Sequence, residues 1–69
     1  MSNAQYLDNL VNKAESIKIV SGEGDGEGTS EDFGGTKTVR AIRSRLTKER
    51  CGGDRWAYAV IDGQRCDEI

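Results

Sequence analysis

The chain has 69 residues, a net charge of −2 and a hydrophobic share of 35%. A chain of this length forms one domain at most and buries only about 60% of the surface that its unfolded form exposes. Residues 1–69 are therefore interpreted as a single small domain. No apolar run approaches the roughly 20 residues of a membrane helix, and residues 1–20 lack the pattern of a signal peptide. We therefore expect a cytoplasmic protein that does not bind membranes.

The charges are divided unevenly along the chain. Residues 1–35 carry seven acidic and two basic side chains, whereas residues 36–69 carry five acidic and eight basic ones. Such an asymmetry indicates charged partners, although a dipolar, solvated surface would have the same composition.

The first predicted element is a helix from about Asn3 to Glu15. Ser2 and Gln5 are placed for a capping box, and Met1 and Tyr6 for a hydrophobic staple. The apolar residues have the spacing of a core-facing helical stripe: Leu7, Leu10, Val11 and Ala14.

A short strand is predicted at Ile17–Ser21, and an acidic stretch follows it. Residues 21–35 hold five acidic residues, six glycines and no basic residue. Such a composition cannot bury enough apolar surface to order itself, so we predict a flexible acidic loop over residues 21–35, anchored to the core by Phe33. The acidic side chains of this loop are candidates for partner contacts: Glu23, Asp25, Glu27, Glu31 and Asp32.

The same stretch suggests a calcium site, because Glu23, Asp25 and Glu27 alternate as the first ligands of an EF-hand do. The pattern then fails, because Gly34 stands where the closing glutamate is required. Five carboxylates would also repel phosphate, and no lysine follows the glycines as it does in a P-loop. We therefore expect no metal and no cofactor.

Residues 36–50 are the most cationic part of the chain and are predicted to form a second helix. Thr36 is placed to cap its start. Val39, Ile42 and Leu46 have the spacing of a core-facing stripe. Three arginines lie along one flank of that stripe and form a predicted basic ridge: Arg40, Arg43 and Arg50.

The C-terminal part is predicted to be a β-hairpin of Arg55–Ile61 and Gln64–Ile69, because Asp62-Gly63 is the strongest short hairpin signal. Both faces of the first strand are apolar, so we predict a central strand with helices over one face. The other face would leave Trp56 and Tyr58 partly exposed. These aromatic residues are candidates for partner contacts, and the alternative is that they simply belong to the core.

Side chains for catalysis are scarce. The chain has no histidine and two cysteines, Cys51 and Cys66, so neither a structural zinc site nor a cysteine nucleophile with a histidine base is supported. A disulfide between them would add about 3 kcal/mol, but a cytoplasmic location favours free thiols. We expect no enzymatic activity.

Two classes of binding function remain. The first is a protein-binding inhibitor or adaptor that uses the acidic loop, the aromatic face or the basic ridge. The second is a small nucleic-acid-binding domain whose helix 36–50 contacts phosphates, although an isoelectric point of about 5.0 is far from the basic value of such domains. The first class is the preferred interpretation.

The C-terminal hairpin supplies a resemblance. A W-A-Y sequence precedes a D-G-x-R turn in the following residues: Trp56, Ala57, Tyr58, Asp62, Gly63, Arg65 and Asp67. In a compact acidic domain this pattern resembles small phage-encoded anti-CRISPR proteins that inhibit type I CRISPR effector complexes. The resemblance implies binding to a protein subunit of the effector in the cytoplasm of the host cell. It also implies competition with target DNA, because some members mimic DNA with acidic surfaces.

The predicted fold is therefore α+β, in the order helix, strand, acidic loop, helix and hairpin. We expect a three-stranded, mainly antiparallel sheet with two helices. The strand order and the oligomeric state are left open by the sequence.

Overall fold

The computed structural model of the protein describes residues 3–69, with side chains from Gln5 onward. It contains six elements: α1 (Asn3–Lys13), β1 (Ile17–Glu23), β2 (Thr29–Asp32), α2 (Val39–Glu49), β3 (Arg55–Ile61) and β4 (Gln64–Cys66). The α+β class with two helices is confirmed, but the sheet has four strands instead of three. Neither helix in this part of the chain is long and apolar enough to cross a membrane.

The strands form one antiparallel sheet in the order β2-β1-β3-β4. The pairing of β1 with β3 is the longest and runs from Ile17 opposite Ile61 to Glu23 opposite Arg55. These two strands are therefore central, as predicted for β3, and the short strands β2 and β4 form the edges. Short edges with charged side chains resist pairing with other chains.

The strand that the sequence did not predict is β2, and it lies inside the predicted acidic loop. The strand β1 continues to Glu23, and the chain then turns and pairs back, with Ser21 opposite Thr29. Gly24 allows this turn because its φ is +57°, a conformation that glycine adopts without steric cost. The expectation that residues 21–35 form no regular structure is therefore wrong. Phe33 packs against the core as predicted, and its amide donates to the carbonyl of Ile17 at 2.8 Å.

The helix α1 buries a narrower stripe than its sequence predicts. Leu7, Val11 and Ala14 are buried, whereas Leu10 is 36% exposed. At 3.6 residues per turn, Leu10 lies roughly 60° away from Leu7 around the helix, at the rim of the contact face. The assignment of Leu10 to the core is therefore wrong. The capping box and staple proposed for Ser2 and Met1 lie outside the described residues.

The helix α2 begins at Val39, and its cap is Thr38 instead of Thr36. The hydroxyl of Thr38 accepts a hydrogen bond from the amide of Ala41 at 3.1 Å, which satisfies one of the free amides at the start of the helix. The predicted apolar stripe of α2 is confirmed, because all its members are buried: Val39, Ile42 and Leu46.

The core lies between the two helices and one face of the sheet. Among the residues whose side chains are described, it comprises twelve buried apolar ones: Leu7, Val11, Ala14, Ile17, Ile19, Val39, Ile42, Leu46, Ala57, Ala59, Ile61 and Ile69. The strand β4 ends at Cys66, earlier than predicted, and the chain then brings Ile69 back to the core.

The predicted hairpin turn at Asp62 and Gly63 is confirmed, with φ values of +51° and +81°. The carboxylate of Asp62 also stabilises a different part of the chain. Oδ1 of Asp62 accepts from the amides of Glu15 and Ser16 at 2.9 and 3.0 Å. The turn therefore fixes the connection between α1 and β1.

Candidate partner-binding surfaces

Within residues 3–69, one face of the sheet is not covered by helices, and the two predicted aromatic residues lie on it. Alternation along β3 places Ala57, Ala59 and Ile61 in the core, so Trp56 and Tyr58 point the other way and are half-buried. Their rings stack, with 6.0 Å between centroids and 10° between planes. The guanidinium of Arg65 lies 4.1 Å from the centroid of the Tyr58 ring, a cation–π contact.

The hairpin of β1 and β2, which we call the acidic hairpin, and its connection 24–28, the acidic turn, pack against this aromatic pair. The indole Nε1 of Trp56 donates to the carbonyl oxygen of Gly24 at 3.0 Å. A Cβ atom at Gly22 would overlap Cζ2 of Trp56, and one at Gly28 would lie 2.5 Å from Cη2. The absence of side chains at Gly22 and Gly28 therefore lets the indole lie against the backbone of the hairpin.

This packing joins acidic and aromatic residues in one surface. The turn that follows Gly24 carries Asp25 and Glu27, which are exposed. Asp32 lies opposite Lys18, which lies opposite Val60, so Asp32 is on the same helix-free face. We call this the acidic–aromatic surface, defined by five of the predicted site residues: Asp25, Glu27, Asp32, Trp56 and Tyr58.

The other two acidic candidates face elsewhere. Glu23 lies opposite Arg55, which puts it on the other face of the sheet at its end. Glu31 forms an ion pair with Arg45 of α2. Arg45 also donates from Nε to Glu49 at 3.0 Å, and Glu49 lies 3.5 Å from Arg55. Glu31 therefore takes part in a network that ties the acidic hairpin to the helix layer.

This network changes the titration of Glu49. The hydrogen bond from Arg45 holds the pKa of Glu49 below its ordinary value of 4.5, and the charge of Arg45 acts in the same direction. A hydrogen bond from Ser21 and the charge of Arg55 lower the pKa further, while partial burial opposes them. The folded state therefore binds this proton more weakly than the unfolded state does.

Acid should weaken this network. A carboxyl group whose pKa is lowered by folding stabilises the folded state fully above its unfolded pKa, and this contribution is lost as the pH falls through the folded pKa. We expect wild type to be more stable than Glu49→Gln at neutral pH and the difference to shrink below pH 4.5. Urea denaturation of both proteins across this pH range measures the difference in the free energy of unfolding. Glu68→Gln is the control, because Glu68 is exposed. A difference that does not depend on pH would contradict the assignment.

The predicted basic ridge is divided by the structure. Arg50 reaches back to β3, where Nε and Nη2 donate to the carbonyl oxygen of Ala57 at 3.0 and 2.8 Å. Arg40 and Arg43 remain exposed on α2. They border a cleft between α1 and α2. The core residues of both helices pack on the face of the sheet opposite to Trp56. The three arginines therefore do not form one surface.

The structure places both cysteines as free thiols, with Cys51 exposed and Cys66 half-buried against the core. Within residues 3–69, no group of three or more Cys, Asp or Glu side chains is arranged to hold a metal ion.

Some residues of these surfaces were not found by sequence reasoning. Lys18 and Val20 lie on the helix-free face, and the register of β1 against β3 places them beside Val60 and Tyr58. Alternation along the short predicted strand could have indicated Lys18 and Val20. The role of Gly22 and Gly28 could not be found in this way, because it depends on Trp56, which is distant in the sequence.

Comparisons with known proteins add no relative: no family model matches the chain, and no curated protein or solved structure matches it significantly.

Proposed function

We propose that this protein is a small, non-enzymatic inhibitor that binds a protein target through the acidic–aromatic surface. The observation that carries the proposal is the hydrogen bond from Trp56 to Gly24, which holds the acidic turn beside the aromatic pair. Tyrosine and tryptophan are enriched where proteins bind one another, since they bury large areas at low entropic cost. Carboxylates beside them favour a basic target surface.

A basic surface that binds nucleic acid is the target that we infer. Long-range attraction would speed the encounter of Asp25 and Glu27 with such a surface, and salt would weaken it. The resemblance of the hairpin to anti-CRISPR proteins makes a type I CRISPR effector subunit the specific candidate. In that case the inhibitor would block binding of target DNA.

The alternative, a nucleic-acid-binding domain on helix 36–50, has less support. Its three arginines do not form one ridge, since Arg50 is bonded to Ala57. Affinity for duplex DNA depends on the number of phosphates that basic side chains neutralise, so the few exposed basic residues of α2, Arg40, Arg43 and Lys48, provide little affinity.

The test uses a purified type I effector complex and its target duplex. We expect the wild-type protein to reduce DNA binding by the effector and to bind the effector directly in a kinetic binding assay. Asp25→Asn with Glu27→Gln should slow association and reduce its salt dependence. The matched control is Glu15→Gln with Glu68→Gln, which removes the same charge at exposed positions elsewhere.

The aromatic part of the surface is tested separately. Tyr58→Ala should raise the dissociation rate constant about tenfold or more, as truncation of an aromatic anchor does at many interfaces. Tyr6→Ala is the control, because Tyr6 is 53% exposed and belongs to α1. Failure of wild type to bind any effector subunit would contradict the anti-CRISPR proposal. Tight binding to bare duplex at physiological salt, without a protein target, would contradict the inhibitor class as a whole.

A further inference from the structure

The arginines of this protein differ in whether their guanidinium groups have hydrogen-bond or ion-pair partners within the chain. Of the six in the chain, four have intramolecular partners for their guanidinium groups: Arg45, Arg50, Arg55 and Arg65. Within the described residues, the guanidinium groups of Arg40 and Arg43 have no hydrogen-bond or ion-pair partner. Both are exposed and lie about one turn apart on α2. The fold therefore leaves two adjacent guanidinium groups, those of Arg40 and Arg43, available to a ligand.

These two arginines border a cleft of about 470 Å³ between α1 and α2. Its floor includes the buried side chains of Leu7 and Val39, and Thr47 lines the side of α2. Asp8 is the acidic residue at the side of α1. The cleft thus combines an apolar floor with a cationic rim on α2. Recognition sites for peptide segments commonly pair an apolar depression with a few polar groups that fix orientation.

We propose that this cleft binds an acidic segment of a partner protein, which inserts an apolar side chain between the helices and places carboxylates against Arg40 and Arg43. The planar guanidinium pairs with a carboxylate through two parallel hydrogen bonds, and such pairs are stronger than neutral ones. Leu7 and Val39 supply the apolar contact. The cleft and the acidic–aromatic surface lie on opposite sides of the sheet, so this site goes beyond the proposed function and does not depend on it.

Nucleic acid fits this cleft less well than an acidic peptide. Two arginines would neutralise few phosphates, and Asp8 would repel the backbone. A phosphate backbone would also leave the apolar floor of the cleft without an apolar contact. An acidic peptide, in contrast, matches both the rim and the floor.

The test uses a short, fluorescein-labelled peptide in which leucines at i, i+4 spacing are flanked by glutamates. Fluorescence anisotropy measures binding to the full-length protein, and amide chemical shifts locate the site. We expect shifts at Leu7, Val39 and Thr47 and none at Trp56 or Tyr58. A peptide with glutamine in place of every glutamate should bind about tenfold more weakly or worse, because it cannot form bidentate ion pairs with the guanidinium groups.

Variants of the protein test the two arginines directly. Arg40→Glu with Arg43→Glu should weaken binding of the acidic peptide about tenfold or more. Lys13→Glu with Lys48→Glu makes the same change in net charge at exposed positions. It should change the affinity for the peptide by about twofold or less, because only screened, long-range charge effects remain. Should the arginine reversal fail to fold, Arg40→Gln with Arg43→Gln removes both positive charges and both bidentate guanidinium groups and is expected to weaken binding in the same direction.

Several results would overturn the proposal. Equal losses in the arginine and lysine variants would mean that binding follows net charge alone. Peptide shifts at Trp56 would place the ligand on the other surface. Tighter binding of a duplex oligonucleotide at the cleft would make nucleic acid the ligand. Self-association of the wild-type protein that the arginine variant abolishes would make a second copy the occupant.

Discussion

Leu46→Ala should destabilise the protein by about 2–5 kcal/mol, the usual cost of replacing a fully buried leucine by alanine. Leu46 has no exposed surface and lies on the core face of α2. A domain this small gains only about 3–5 kcal/mol from its single core, so the variant should be largely unfolded at room temperature. Urea denaturation followed by circular dichroism measures the change. The milder variant Leu46→Met keeps most of the volume and should remain folded.

Leu10→Ala is the matched comparison, because it makes the same chemical change on the other helix. Leu10 is 36% exposed and lies at the rim of the contact face, so we expect a loss of about 1 kcal/mol or less. Sequence periodicity alone would give the two leucines equal roles. Equal shifts of the denaturation midpoint would therefore restore the prediction from sequence and contradict the burial of these side chains.

The sequence predicts those parts of the fold whose signals are local. The spacing of Val39, Ile42 and Leu46 gives the buried face of α2, and Asp62-Gly63 gives the turn of the second hairpin. Alternation along β3 predicts that Trp56 and Tyr58 point away from the core and are partly exposed. In each case the residues that carry the signal also form the structure, so nothing distant along the chain is needed.

The acidic hairpin could not be predicted in this way. Its own residues provide little apolar surface, and composition therefore indicates disorder. Its order depends on distant residues, because Trp56 bonds to Gly24 and Arg45 pairs with Glu31. The same limit applies to Arg50, whose bond to Ala57 removes it from the predicted ridge. Charge and periodicity identify such residues as candidates, but they do not show which are used by the fold.

Gly22→Ala should destabilise the protein by about 1–3 kcal/mol, the usual cost of overpacking a contact. The added Cβ would overlap Cζ2 of Trp56. The indole cannot move freely, since it is stacked on Tyr58 and bonded to Gly24. The sign of the effect is diagnostic, because alanine in place of glycine within a strand otherwise stabilises by about 0.5–1 kcal/mol. Gly34→Ala is the control, since a Cβ there meets no atom within 4 Å.

A double-mutant cycle with Trp56→Ala isolates the contact that holds the acidic turn beside the aromatic pair. In the Trp56→Ala background the overlap is gone, so Gly22→Ala should be neutral or slightly stabilising, and the two substitutions should be strongly non-additive. Urea midpoints of the four proteins give the coupling free energy. Equal destabilisation by Gly22→Ala with and without the indole would mean that the clash is with the backbone. It would also contradict the close packing of the indole against Gly22, one of the contacts that place the acidic turn beside the aromatic pair.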